Sequence, residues 1–144
     1  MLVDEMIDEL KTVAELAGRI EGGLEFSALM NSGKLPQHDV AAFVFSAGFD
    51  AGPSKNATGV HHQTVTERLA VALIVASPDD PTGVRVRTKV ENIVQSLINH
   101  LAGVVLPSAA DVLDVVRGRL AEMSGGRVFY EVHFSTTWHL RKTS

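Results

Sequence analysis

The sequence predicts a single α+β domain spanning residues 1–144, in which two main helices pack on an antiparallel-rich mixed sheet. Two stretches repeat their apolar residues with the spacing of an amphipathic helix, and four others are continuous or alternating apolar runs typical of strands. The chain has the usual length of one domain and shows no internal repeat or low-complexity tail. Hydrophobic residues make up 45% and charged residues 21%, as in ordinary globular domains.

Composition excludes several classes of protein. The chain has no cysteine, which excludes disulfides and thiolate metal sites. Its formal net charge of −4 lacks the basic excess of a general nucleic-acid binder, although a total does not exclude a local basic patch. The start of the chain is acidic where a signal peptide would be basic. Its longest apolar run, Leu69–Ala76, is far shorter than the roughly 20 residues needed to span a bilayer.

The N-terminal region predicts the first main helix over residues 3–17. Its apolar residues recur at spacings of three and four and so form one stripe: Val3, Ile7, Leu10, Ala14 and Ala17. Acidic residues near its start favour the positive end of the helix dipole, and Gly18 is suited to end the helix. Residues 24–31 are predicted as a brief further helix.

The middle of the chain predicts two strands joined by a long loop. Residues 40–47 are apolar on both faces and are predicted as a buried strand. Residues 48–62 are rich in Gly, Pro, Ser and Asn and are predicted as a projecting loop. Residues 63–76 follow as a long strand with apolar odd positions, interrupted by Glu67. Because loops of this length are uncommon inside compact domains, we expect this one to reach a neighbouring subunit or another partner.

The second main helix is the clearest prediction in the sequence. Asp80 is a plausible N-cap with Pro81 at the first helical position, and Gly103 ends the pattern. One apolar stripe runs through Val86, Val90, Ile93, Leu97, Ile98 and Leu101. A strand over residues 112–123, a turn at 124–126 and a strand from Val128 to Leu140 complete the chain. The last strand alternates cleanly between apolar and polar residues.

No catalytic, metal or cofactor site is predicted, and the protein is not expected to be an enzyme. His61 and His62 are adjacent, so in a strand they point to opposite faces. His133 and His139 share a face of the last strand but lie about 20 Å apart along it. An alternative function remains open: a small oligomeric α+β enzyme or ligand-binding module. It would need a concave pocket that holds His133 or His139 with a carboxylate such as Glu131.

The features that do stand out concern surface and shape. Strand edges and surplus apolar residues are liabilities unless a partner covers them. The predicted loop and last strand supply the candidate protein-interface residues, which are Phe49, Asp50, Lys55, Asn56, His61, His62, Phe129 and His133.

Four stretches carry a resemblance to a known family: residues 6–22, 34–45, 63–103 and 126–141. The most specific is the segment Thr66-Glu67-Arg68, followed by an apolar run, an acidic Pro/Gly turn and the long helix. In this order of elements the chain resembles the tail-terminator, or tail-completion, proteins of long-tailed bacteriophages.

The resemblance implies a structural virion protein of the tail and neck that is assembled in the host cytoplasm. It implies a homo-oligomeric ring, usually a hexamer, that caps the tail tube and joins it to the head-side connector or stopper protein. DNA is then expected to pass through the lumen without specific binding. Neither a cofactor nor a membrane is implied.

Overall fold

A computed structural model describes residues 2–16, 19–23, 31, 40–57, 59–76, 84–124 and 127–143. Within these residues the chain forms helices on a mixed, mostly antiparallel sheet, which confirms the predicted α+β class. The elements are α1 (Leu2–Leu10), a 3-10 turn (Ala14–Leu16), β1 (Ile20–Gly22), β2 (Val40–Ala51), β3 (Lys55–Ala57), β4 (Val60–Ala76), α2 (Val84–Leu101), β5 (Asp114–Ser124) and β6 (Arg127–Thr143).

The sheet has the strand order β1-β2-β4-β6-β5, and β3 pairs with the start of β4. Strand β1 runs parallel to β2, whereas the other pairs are antiparallel. The longest pair is β4 with β6, which runs without a register shift from Val60 opposite Thr143 to Ala76 opposite Arg127. At about 3.3 Å per residue, this ladder is roughly 55 Å long.

The main core lies between the two helices and one face of the sheet. Helix α2 contributes the predicted stripe, in which Val86, Val90, Ile93, Leu97 and Leu101 are buried. Helix α1 contributes Leu2, Met6 and Leu10. The sheet supplies even residues of β2, odd residues of β4 and even residues of β6. Each buried aliphatic side chain contributes about 1.5–3 kcal/mol, so this one face accounts for much of the stability.

The opposite face of the sheet is also buried at its centre. Ala41, Phe43, Ala72 and Ile74 form a smaller apolar cluster against which Phe45 and Phe129 pack. Burial on both faces explains why residues 40–45 and 69–76 are apolar without alternation.

Polar contacts fix the first helix in place. The backbone N–H of Ser108 donates to Oε1 of Glu5 at 2.6 Å, and Nε2 of His100 lies 3.0 Å from the carbonyl oxygen of Glu9. Helix α1 ends at Leu10 and is followed by the 3-10 turn, so it is shorter than the predicted span 3–17. Gly103, at φ +85°, follows α2 as predicted. The predicted brief helix over 24–31 and the predicted N-cap Asp80 lie outside the described residues, apart from position 31.

The prediction of a loop over residues 48–62 is wrong. Strand β2 continues to Ala51, β3 follows after a short connection, and β4 begins at Val60. The physical reason is a β-bulge: the register with β4 shifts between Ser46 and Phe49, and Gly48 takes φ +113°. The bulge accommodates one extra residue in β2, so the strand continues to pair with β4 beyond this point.

The bulge generates a prediction about stability. Gly48→Ala is expected to lower the free energy of unfolding by about 1–3 kcal/mol, because an L side chain is strained at this φ. No atom of the described residues lies within 4 Å of the added Cβ, so the cost comes from the backbone. Urea unfolding measures it. The control is Ala47→Ser at the exposed neighbouring position, expected within about 0.5 kcal/mol of the parent chain. Equal stability of the two variants would contradict the assignment of backbone strain to position 48.

Candidate functional site

The strands extend well past the helices and form an arm, defined as residues 46–64 and 137–143. Its described side chains are all exposed or half-buried, in contrast to the strand centres. The arm is held to the main domain by the connection between α2 and β5. There the N–H of Ala110 donates to the carbonyl of Thr137 at 2.7 Å, and the hydroxyl of Thr136 donates to the carbonyl of Asp111 at 2.9 Å.

A buried carboxylate lies at the base of the arm. Glu67 is 7% exposed and accepts a hydrogen bond of 3.0 Å from the indole Nε1 of Trp138. The ring of Phe49 lies 6.4 Å from the Trp138 ring, tilted by 58°, and Phe49 is 63% exposed. The bulge brings these groups together, because it places Phe49 opposite Glu67. The base of the arm therefore carries an exposed aromatic ring, Phe49, that packs on Trp138, and the hydrogen bond to Glu67 holds Trp138 in place.

The far end of the arm carries a cluster of basic side chains that we call the cationic tip. It consists of Lys55, His61, His62, His139, Arg141 and Lys142. Strand pairing places Lys55 and Arg141 on either side of His62, in one row across β3, β4 and β6. The sequence has no Asp or Glu between residues 51 and 66 or between 132 and 144. The tip of the arm is therefore basic although the chain as a whole has a net charge of −4.

Hydrogen bonds order the imidazoles of the tip. The ring of His61 lies between two amides, with Nδ1 at 2.9 Å from Asn56 Oδ1 and Nε2 at 2.7 Å from Gln63 Oε1. Gln63 in turn donates to the carbonyl of Gly52 at 3.0 Å. The rings of His62 and His139 stack loosely, with centroids 5.3 Å apart. These contacts fix side chains that an unstructured loop would leave free.

The pKa of His62 is lowered from its ordinary value of 6.5. Desolvation of the half-buried ring is the main cause, followed by the Arg141 guanidinium and then by His139, Lys55 and His61. The folded state therefore favours the neutral ring. The contribution of His62 to stability is present above pH 6.5 and is lost as the pH falls below that value.

A second histidine site lies on the outer face of β5 and β6. His133 is 6% exposed, and neither ring nitrogen has a hydrogen-bond partner within the described part of the chain. Its Nε2 lies 3.5 Å from Oε2 of Glu131, and this oxygen also accepts a 3.1 Å hydrogen bond from Nε of Arg119. His139 lies six residues away, about 20 Å along the strand. The structure does not bring the two histidines of the alternative enzyme prediction together.

One open depression of about 320 Å³ lies beside the bulge. It is lined by Ala47, Gly48, Phe49, Asp50, Thr66, Arg68, Val116 and Ser135. Neither His133 nor His139 lines it. Among the described residues, no group of three or more His, Asp or Glu is arranged to hold a metal ion. No helix within the described ranges is long and apolar enough to cross a membrane.

Strand β5 forms one edge of the sheet and is paired only with β6 among the described strands. It is exposed from Asp114 to Ala121 and carries three large apolar residues at the surface. Val115 is 40% exposed, Val116 39% and Leu120 53%. Two register shifts interrupt its pairing with β6, yet the strand remains 11 residues long. Such an edge is a template for another chain unless it is covered.

A family model described as "Phage tail terminator protein" matches residues 2–144. The chain belongs to this family. A chain of the solved structure "Virion of native gene transfer agent (GTA) particle" has the same fold, with a TM-score of 0.61 and 12% sequence identity. That similarity covers 96% of this chain and 95% of the other. A search of curated protein sequences finds no match.

Family membership confirms the resemblance seen in the sequence. The tail terminator is a structural protein of a phage-like tail and assembles with other components of the virion. The exposed edge and the arm are therefore the surfaces to consider as sites of assembly.

The structure distributes the predicted interface residues over several regions. Phe49 and Asp50 lie at the base of the arm, whereas Lys55, Asn56, His61 and His62 lie at its tip. Phe129 is half-buried in the smaller apolar cluster. The ring of His133 is buried and so offers little contact surface. The sequence did not predict the contact between Trp138 and Glu67 or the exposed edge at β5, although the exposed Val115 and Val116 are adjacent in the sequence.

The contact between Glu67 and Trp138 generates a second prediction. Trp138→Phe removes the indole N–H and leaves a buried carboxylate without this donor, which is expected to cost about 1–3 kcal/mol of unfolding free energy. Adding Glu67→Met removes the charge and recovers part of that loss. A double-mutant cycle by urea unfolding measures the coupling between the two residues. Additivity within about 0.5 kcal/mol would show that the pair contributes nothing beyond its separate members.

The environment of His62 generates a third prediction. Its imidazole is expected to titrate below 6.5 when followed by NMR. Arg141→Gln removes a repelling cation, so the midpoint is expected to rise toward 6.5. Arg85→Gln, an exposed change on α2, serves as the control and leaves the midpoint unchanged. A midpoint that does not respond to Arg141→Gln would contradict the electrostatic explanation.

Proposed function

We propose that this protein forms a closed ring, of six copies, that caps the tail tube of a phage-like particle and joins it to the head-side connector. DNA passes through the lumen of the ring. Assembly takes place in the host cytoplasm, and the finished ring lies in the neck of the virion. The exposed apolar edge strand β5, in a member of the tail terminator family, is the observation that carries this proposal.

A closed ring needs two different surfaces on each subunit, because its contacts are heterologous. Strand β5 supplies the first surface at one edge of the sheet. The outer half of β2 supplies the second at the other edge. There β1 pairs only with Ala42–Val44, and no described strand pairs with the outer side of Ser46–Ala51. The two edges face away from each other across the sheet, as a head-to-tail contact requires.

Burial of exposed apolar area gives the contact its driving force. Val115, Val116 and Leu120 lie on β5, and Phe49 lies on the opposite edge. Each of these side chains contributes on the order of 1.5–3 kcal/mol when fully covered. Phe49 is backed by Trp138, so the aromatic surface at the base of the arm is already positioned for a neighbouring subunit or the tail tube.

The ring is tested with the purified protein by native mass spectrometry. The parent chain is expected as a closed multimer, and Leu120→Asp as a folded monomer, because a carboxylate at this exposed edge position opposes burial in a contact. Val105→Asp is the matched control. Val105 is 55% exposed on the connection after α2, outside the strands, and its variant is expected to assemble normally.

Two results would contradict the proposal. One is a parent chain that remains monomeric both alone and in the presence of tail tubes. The other is a multimer that Leu120→Asp and Val105→Asp leave equally intact, which would place the contact elsewhere. Circular dichroism of each variant separates loss of assembly from loss of folding.

A further inference from the structure

The cationic tip has a charge that the rest of the chain does not share. It combines Lys55, Arg141 and Lys142 with three imidazoles, and it lies within segments that contain no Asp or Glu. Since the whole chain has a net charge of −4, the remainder is more negative still. A surface of one sign at the end of a projecting element is suited to a partner of the opposite sign.

Distance allows the tip to act independently of the acidic remainder. Among the described strand residues, Asp50 is the exposed Asp or Glu nearest to the tip, and it pairs with Thr66, four residues from His62 on β4. Four residues of strand span about 13 Å, which exceeds the Debye length of about 8 Å at physiological salt. A charged partner that touches the tip therefore encounters mainly its cations.

The composition of the tip distinguishes between classes of partner. Protein interfaces are depleted of lysine and enriched in aromatic residues at their centres. Contacts to phosphate use arginine, lysine and the hydroxyl and amide groups of Ser, Thr, Asn and Gln. The tip has cations beside Asn56, Gln63 and Thr64, and its large apolar residues Val60 and Leu140, exposed at 37% and 38%, are aliphatic and not aromatic. Its chemistry is that of a phosphate contact.

We propose that the cationic tip binds the phosphate backbone of double-stranded nucleic acid without sequence preference. The row of Lys55, His62 and Arg141 across three strands provides the contact, and Lys142 with His61 extends it on the other face of the sheet. The contact is expected to be weak and mobile, because affinity grows with the number of phosphates neutralised and each subunit offers only a few cations. This binding does not depend on ring formation, because one folded subunit carries all the residues of the tip.

The lowered pKa of His62 gives this contact a pH dependence. Arg141, His139 and Lys55 lie on the same face as this ring, and His61 precedes it on the opposite face; the charges of all four oppose its protonation. A bound phosphate would favour the imidazolium form. Binding is therefore expected to strengthen as the pH falls from about 7.5 to about 6, as a larger fraction of His62 becomes charged.

Fluorescence anisotropy with the full chain and a labelled random-sequence duplex of roughly 20 base pairs tests the proposal. Neutralising about three phosphates predicts a slope of about −2.7 in log affinity against log salt between about 50 mM and about 200 mM NaCl. Lys55→Glu with Arg141→Glu is expected to weaken binding at least tenfold and to flatten that slope. Lys55→Gln with Arg141→Gln is expected to give an intermediate loss.

Arg85→Glu with Arg87→Glu is the matched control, because it changes the net charge equally at exposed positions on α2. It is expected to keep affinity within about threefold of the parent, since these charges lie outside the contact. An equal loss in both double variants would overturn the proposal, as would the absence of binding by the folded parent chain at about 50 mM NaCl. Labelled poly-glutamate that binds as tightly, with the same dependence on Lys55 and Arg141, would assign the tip to an acidic protein instead. None of these outcomes depends on ring formation, which native mass spectrometry measures separately.

Discussion

The continuous pairing of β4 with β6 is the constraint on which the rest of the structure depends. Its register turns the odd residues of β4 and the even residues of β6 toward the helices. A shift of β6 by one residue along β4 would turn Phe134 and the other even residues of β6 away from the helices. Because the same ladder continues past the helices, the arm is held in register by the strands that also line the core.

Much of the fold could be predicted because its main elements have strong local patterns. Helix α2 shows an apolar stripe from Val86 to Leu101, and β6 alternates from Val128 to Phe134, so both were predicted close to their observed bounds. The order of these elements also indicated the tail terminator family, which the family match confirms. Burial in the core reproduces these patterns almost residue by residue.

The surfaces were harder to predict, for two physical reasons. Gly48 is a typical breaker when seen alone, and only its pairing with β4 shows that it accommodates a bulge within a continuing strand. Pairings distant in sequence are the second reason. Lys55 and Arg141 flank His62 only after β3, β4 and β6 have come together, and His133 is buried because the sheet centre is covered on both faces. A net charge summed over the chain hides a basic region of this kind.

The bulge at Gly48 also bears on how the arm can change during evolution. Side chains alternate between the two faces of β2, and the single extra residue sets which face Phe49 joins. Inserting one more residue between the bulge and Phe49 would turn this aromatic ring away from Trp138, whereas inserting two would keep the pair together. Related chains that keep this aromatic pair are therefore expected to differ between the bulge and the aromatic residue by even numbers of residues.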